Sequence, residues 1–233
     1  MPSGTFVPFQ ILSFPTARAE MRTVERRPRG SRDEQADPVY TQIAFRDGRV
    51  AGFGRAEILH RKGVQVEGFW HGYPITEIVE QKTFDAYYKW SRNDRLFIAQ
   101  TEKEVALSAA DALSKEFRDV LNLETVTIDF RQIIATAVDV TGSWFKGMRH
   151  PNIKCEAAFG YHINRDPEFL RLCQIGNHSN IVAIMSFGTE MLKVNISKIG
   201  SVYFMDDHPV ETCLRFVEHL QQYRIVPAAA QAR

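Results

Sequence analysis

Apolar residues recur at every second position in clusters of short runs punctuated by glycine, and this pattern limits the chain to sheet-building folds. Val39 to Phe45, Val50 to Leu59 and Val64 to Trp70 read as a β-meander, with turns expected at Asp47-Gly48 and Lys62-Gly63. Glycines inside the second strand, Gly52 and Gly54, signal a bulge or a close backbone approach. A second meander runs from Ile181 to Met205, punctuated by Gly188 and Gly200. Its first strand, Ile181 to Phe187, is apolar on both faces and reads as central. Its second, Met191 to Ser197, alternates and reads as half-buried. Val138 to Phe145 and Ile153 to Ile163 form an expected hairpin, with Cys155, Ala157, Phe159 and Tyr161 on one face of the latter. Thr5 to Phe14 supplies a first strand, Leu96 to Ala99 a short one, and Glu124 to Phe130 alternates again.

Helical periodicity is confined to fewer segments. Thr101 to Leu121 carries the stripe Val105, Ala109, Ala112, Leu113, Phe117, Val120 and Leu121 behind an expected Thr101/Glu104 capping box. Ile75 to Trp90 reads as a helix with Ile78, Val79 and Phe84 inward, and Arg131 to Ala137 fits a helical turn or a continued strand. Asp166-Pro167 starts a short helix that Gly176 stops. Asp206-Asp207-His208-Pro209 is expected to cap a last helix with the stripe Val210, Cys213, Leu214, Val217 and Leu220. Runs of strands separated by single helices exclude strict β/α alternation. They point to an α+β protein with largely antiparallel sheets built from two β-meanders, and four to five helices on one side.

One stretch departs from this texture. Between Pro15 and Pro38 six arginines (Arg18, Arg22, Arg26, Arg27, Arg29 and Arg32) meet few aliphatic and no aromatic side chains. Too little apolar surface is available there to offset chain ordering. Residues 1–38 therefore read as a strand followed by an Arg-rich mobile arm. Residues 39–226 read as one α+β core with possible halves 39–122 and 123–226, and 227–233 as a frayed tail.

Composition excludes several function classes. With 44% hydrophobic and 24% charged residues the chain is an ordinary folding sequence, and its net charge of +1 creates no global field for a polyanion. No apolar run suits a membrane helix, and Phe6 to Phe14 lacks a basic flank and is broken by Pro8, Gln10 and Ser13, so no signal peptide is expected. Three cysteines without a CxxC pair (Cys155, Cys173 and Cys213) read as thiols of a reducing, cytoplasmic compartment.

Catalytic and cofactor motifs are missing. Gly142 to Gly147 resembles half a phosphate loop, but Met148 and Arg149 stand where Lys and Ser/Thr are needed. Gly52-Phe53-Gly54 lacks the third glycine of a dinucleotide loop. There is no nucleophile elbow and no close histidine pair for zinc, so no cofactor and no metal is expected. His60, His71 and His178 read as surface or turn residues.

Two segments interleave cations with aromatics. Trp144, Phe145, Lys146, Arg149, His150 and Lys154 gather at the expected hairpin tip, and Lys89, Arg92 and Arg95 surround Tyr87, Tyr88 and Trp90. Such mixtures neutralise phosphates and stack bases. The expected function is therefore a non-catalytic or accessory protein that binds nucleic acid or another polyanion, as a subunit of a larger complex or a homo-oligomer. The first alternative is a hydrolase or nuclease assembled from scattered residues near Asp139, Glu156 and His162, or from Asp206, Asp207 and His208. The second is a protein–protein interaction subunit without a ligand.

Overall fold

The computed structural model describes residues 4–16, 20–28, 37–70, 73–148 and 154–225. Strands come first in chain order: β1 (Thr5–Ser13), β2 (Met21–Arg22), β3 (Tyr40–Val50), β4 (Phe53–Trp70), β5 (Tyr73–Trp90) and β6 (Arg95–Gln100). Helix α1 (Lys103–Glu116), β7 (Asn122–Thr125), α2 (Phe130–Thr136), β8 (Asp139–Lys146) and β9 (Cys155–Phe159) follow. The chain continues through α3 (Pro167–Ile175), β10 (Asn177–Phe187), β11 (Glu190–Ser197), β12 (Val202–Phe204) and α4 (Val210–His219). Mostly antiparallel sheet with four α-helices among the described residues agrees with the α+β class. None of these helices is long and apolar enough to cross a membrane.

The chain divides into two compact units, Phe9–Glu124 and Met1–Pro8 with Thr125–Arg233. In Phe9–Glu124 the strands run in the order β2-β3-β4-β5-β6-β1. Antiparallel pairing of β4 with β5 is its longest ladder, from Gly54↔Tyr88 to Trp70↔Tyr73. The helix expected over Ile75 to Trp90 is therefore a strand. Its aromatic and β-branched residues suit a pleated surface, and Phe84, Ala86 and Tyr88, two apart, are all buried. Both expected turns also move. Lys62-Gly63 lies within the β4–β5 ladder, opposite Glu80 and Val79, and that ladder continues to Trp70↔Tyr73; His71 and Gly72 lie outside the described residues. Asp47-Gly48 is a bulge in β3, and the β3–β4 turn is Ala51-Gly52. Both turn residues have positive φ (51° and 86°), as the twist of a two-residue hairpin demands.

Within the stretch read as an arm, Met21–Arg22 pairs with β3 at Ile43 and Gln42, and Arg26 bridges Val39. Residues 17–19 and 29–36 lie outside the described residues. Helix α1 starts and ends short of expectation. Glu102 is its N-cap residue, without the side-chain cap bond expected of Thr101, and Phe117 is its C-cap at φ −116°. Ala106, Ala109, Ala110 and Leu113 form its buried face, while Val120 is exposed.

In the second unit β1, β12, β11, β10, β8 and β9 are neighbours in that order. β10 pairs on both sides, with β8 and β11, and so is an interior strand of the sheet, as expected for it. Asp166 caps α3 by accepting from the backbone N–H groups of Glu168 (2.8 Å) and Phe169 (3.1 Å), as its position before Pro167 implies. α4 buries Cys213, Leu214, Phe216 and Val217, but its N-cap residue is Pro209 and no side chain caps it. The role expected for Asp206 and Asp207 as caps is thus corrected.

The β8–β9 hairpin pairs as expected, from Gly142↔Phe159 to Lys146↔Cys155, but its faces are reversed. Ser143 and Phe145 of β8 point to the core, so their partners Ala158 and Glu156 turn the same way. Cys155, Ala157 and Phe159 consequently face solvent, Phe159 at 63% exposure, and in a period-two element one choice of face decides every side chain.

Leu113 is fully buried in the α1 interface. Leu113→Ala is expected to lower unfolding free energy by about 2–5 kcal/mol in a urea titration. A loss below about 1 kcal/mol would show that α1 is not seated through this residue.

Candidate anion-binding cleft

One ladder row of Phe9–Glu124 brings together residues far apart in sequence. Gly54 of β4 lies between Arg49 of β3 and Tyr88 of β5. A Cβ built on Gly54 would fall 2.5 Å from Tyr88 Cζ and 2.8 Å from its hydroxyl, so the phenol ring covers bare backbone. This is the close approach that the glycine pair signalled. Arg49, Gly52, Gly54, Tyr88, Lys89, Trp90, Ser91 and Asp94 line a cleft of about 320 Å³ at this end of the sheet.

The cleft combines cations, aromatic rings and an unused polar group. Lys89 Nζ sits 4.4 Å from the centre of the Phe53 ring. Phe14 stacks on Trp90 (5.7 Å) and leans on Tyr88 (4.8 Å), which holds both rings in place. Tyr88 is only 5% exposed, and its hydroxyl has no hydrogen-bond partner among the described residues. Leaving such a hydroxyl unpaired costs about 1–3 kcal/mol. Asp94, the carboxylate at the rim, is engaged by its own turn: Ser91 Oγ donates to it at 3.2 Å and accepts from its backbone N–H at 2.9 Å. Arg92 and Arg95 project from this β5–β6 turn, with Arg95 5.4 Å from the centre of the Trp90 ring.

The expected site residues thus separate into two places. Lys89 lines the cleft, Arg92 and Arg95 flank it, and Arg49, which sequence reading missed, joins them through the β3–β4 pairing. The signal that would have found Arg49 is the Ala51-Gly52 turn, which folds β3 back beside Gly54. At the β8–β9 hairpin, Lys146 and Lys154 are exposed, while Arg149 and His150 lie outside the described residues. Phe145 is fully buried and offers no face to a base, whereas Trp144 is half-buried with its ring 4.9 Å from Phe159.

The histidines read as surface residues are the largest departure, His71 lying outside the described residues. His60 is 5% exposed, with Nδ1 2.8 Å from Thr41 Oγ1 and Nε2 3.1 Å from Ser108 Oγ. A second cleft, of about 260 Å³, includes all three residues in its lining. Burial and then the Lys62 ammonium push the His60 pKa down to about 4, so the ring is neutral and weakly basic. Ser108 sits inside α1, where the backbone N–H groups around it are spent on the helix and cannot serve as an oxyanion hole. His178 repeats the device: Nδ1 lies 2.9 Å from Ser143 Oγ, the Phe145 ring is 4.6 Å away, and burial lowers its pKa to about 4.

Of the alternative catalytic groupings, Asp139 and His162 do meet. Buried Asp139 accepts from the His162 backbone N–H (2.7 Å), and its Oδ1 lies 3.3 Å from His162 Nδ1. His208 Nδ1 lies 3.8 Å from Glu190 Oε2. Among the described residues no three His, Cys, Asp or Glu side chains are placed to hold a metal ion. Cys155 is exposed, Cys173 half-buried and Cys213 buried, with burial pushing the last two thiols up to about 11 and about 12.

Two outcomes test this description. Gly54→Ala is expected to displace the Tyr88 ring and cost upward of about 1 kcal/mol, visible as a lowered urea midpoint with altered tyrosine fluorescence. An unchanged midpoint would show that Tyr88 does not rest on Gly54. His60 and His178 have native pKa values below their unfolded ones, so between pH 6.5 and 4 the unfolded chain binds protons that the native chain refuses. Stability should therefore fall across that window as pH drops, by on the order of 3 kcal/mol per histidine, and level off below it. Urea titrations from pH 7.5 to pH 4 would reveal this slope, which His60→Gln should flatten. Neither a protein-family model nor a curated protein sequence matches this chain, so the functional reading rests on its own geometry.

Proposed function

We propose that this chain is a binding protein for phosphate-bearing polyanions, nucleic acid among them, with Arg49, Lys89, Arg92 and Arg95 as the main cationic contacts. The observation that supports this reading is a cleft lined by Arg49 and Lys89, with Arg92 and Arg95 on the adjoining β5–β6 turn, whose buried Tyr88 hydroxyl lacks a partner among the described residues. Phosphate oxygens meet both needs at once, because they accept hydrogen bonds and carry the countercharge. Trp90, 42% exposed at the rim, is the ring available for stacking. Lys146 and Lys154, with the half-buried Trp144, make a second and weaker patch on this reading. A two-meander arrangement with helices packed on one side is the scaffold this reading takes, and its setting is the reducing cytoplasm.

Labelled single- and double-stranded oligonucleotides, followed by fluorescence anisotropy at several salt concentrations, test the reading. Binding should weaken steeply with salt, and removing Arg92 and Arg95 together should reduce the log–log slope by roughly 1.4 to 1.8. Trp90→Ala should cost roughly 1–3 kcal/mol if a base stacks there. Absence of binding at low salt would refute the proposal. Loss of binding only on replacing Lys146 and Lys154 would move the site to the β8–β9 hairpin.

A further inference from the structure

The cationic cleft is a recess between two turns. Arg49↔Gly54 and Val50↔Phe53 lead into the β3–β4 turn, and Lys89↔Leu96 and Trp90↔Arg95 into the β5–β6 turn. Residues 47–54 and 88–95 make these turns and the strand ends beside them. They hold Arg49, Lys89, Arg92 and Arg95 against Asp47 and Asp94, so the mouth is net positive. At about 320 Å³ the recess lies at the small end of ligand sites, roughly 300–1,000 Å³. Space of this size suits a single nucleotide unit rather than stacked base pairs.

Trp90 lines the recess and is part-exposed. Phe14 stacks on it with ring centres 5.7 Å apart and planes 27° apart, which fixes the indole, and Arg95 places a cation 5.4 Å from the ring centre. A ring held in this way is a platform for a base that has a free face. In a duplex both faces of each base are covered by its neighbours, whereas a base splayed out of a single strand has a face to offer.

Elements of this unit with the shape to enter a duplex groove carry the wrong charge. Duplex DNA is read by a helix or a two-stranded ribbon lying in the major groove, between rows of phosphates. β3 pairs with β4 only as far as Arg61, and beyond it β4 and β5 continue to Trp70 and Tyr73 as a ribbon that no other strand joins among the described residues. Residues 62–80 of that ribbon hold Lys62 against Glu67, Glu77 and Glu80. Helix α1 holds Lys103 and Lys115 against Glu104, Asp111 and Glu116. Both would be repelled by a groove.

We propose that the cleft takes single-stranded nucleic acid in preference to duplex, with an unpaired base stacked on Trp90 and its flanking phosphates against Arg49, Lys89, Arg92 and Arg95. This rests on the polyanion reading above and narrows it to one substrate class. A duplex still meets Arg92 and Arg95 through its phosphates, so its binding is weaker and independent of Trp90.

The test is fluorescence anisotropy at low salt with a labelled mixed-sequence strand of about 15 nucleotides, alone and annealed to its complement. The wild type should bind the single strand about tenfold more tightly than the duplex. Trp90→Ala should weaken single-strand binding about tenfold and leave duplex binding unchanged, so that the preference disappears. Trp90→Phe, which keeps a flat ring, should retain most of it. The single strand should also quench tryptophan fluorescence in the wild type but not in Trp90→Phe. Equal affinity for the two forms, a preference that survives Trp90→Ala, or quenching that persists in Trp90→Phe would each overturn this inference and leave the polyanion reading standing. Failure of both forms to bind would refute that reading itself, and this inference with it.

Discussion

Antiparallel pairing of β4 and β5 is the constraint on which the unit Phe9–Glu124 depends. Two strands of 18 residues each are locked in register, and that register assigns every side chain of both to one face or the other. Along one face the same ladder passes through three environments. It begins with Gly54 and Tyr88 at the cationic cleft, continues through Ile58 and Phe84 beneath α1, and ends with Val64 and Ile78 on the ribbon. A slip of one residue would expose the core pair and bury charged neighbours such as Glu57 and Asp85, so cleft, core and ribbon are set by one pairing.

Polar groups inside both units follow one economy. His60 and His178 are each kept neutral and tied through Nδ1 to a hydroxyl, Thr41 in one case and Ser143 in the other. Burying an imidazolium would cost far more than burying a hydrogen-bonded imidazole. The Tyr88 hydroxyl breaks this pattern by having no partner, and it does so beside Arg49 and Lys89. The contrast separates the cleft, where cations and rings meet an unpaired hydroxyl, from the satisfied histidine arrays, although the latter look more like catalytic machinery.

Several elements were legible because their signals are local. Asp166 and Pro167 begin α3 through bonds that reach only two and three residues ahead. The double-sided apolar run of β10 marks an interior strand, and it pairs on its two edges with β8 and β11. Cations and aromatics around Tyr88 marked part of the cleft before any fold was known. Other readings failed where two local patterns compete. Residues 75–90 carry apolar positions at helical spacing, yet every second residue from Phe84 to Tyr88 is also apolar, and only pairing with β4 and β6 selects the strand. Asp47-Gly48 is a good turn by composition and a bulge in fact, because the ladder closes later, at Ala51-Gly52.

By itself the sequence determined the α+β class, most strand positions, the α3 boundaries and the chemical character of the cleft rim, all of which follow from caps, turns and short-range periodicity. Tertiary structure alone decided the identity of β5, the outward face of β9, the partners of His60, the arrival of Arg49 beside Tyr88 and the overhang of the ribbon. The physical reason is separation along the chain. Thr41, His60 and Ser108 meet across gaps of 19 and 48 residues, and no periodicity encodes a hydrogen bond of that reach. Which face of a strand is buried is likewise a property of its neighbours, since an alternating sequence offers two faces and the packing chooses between them.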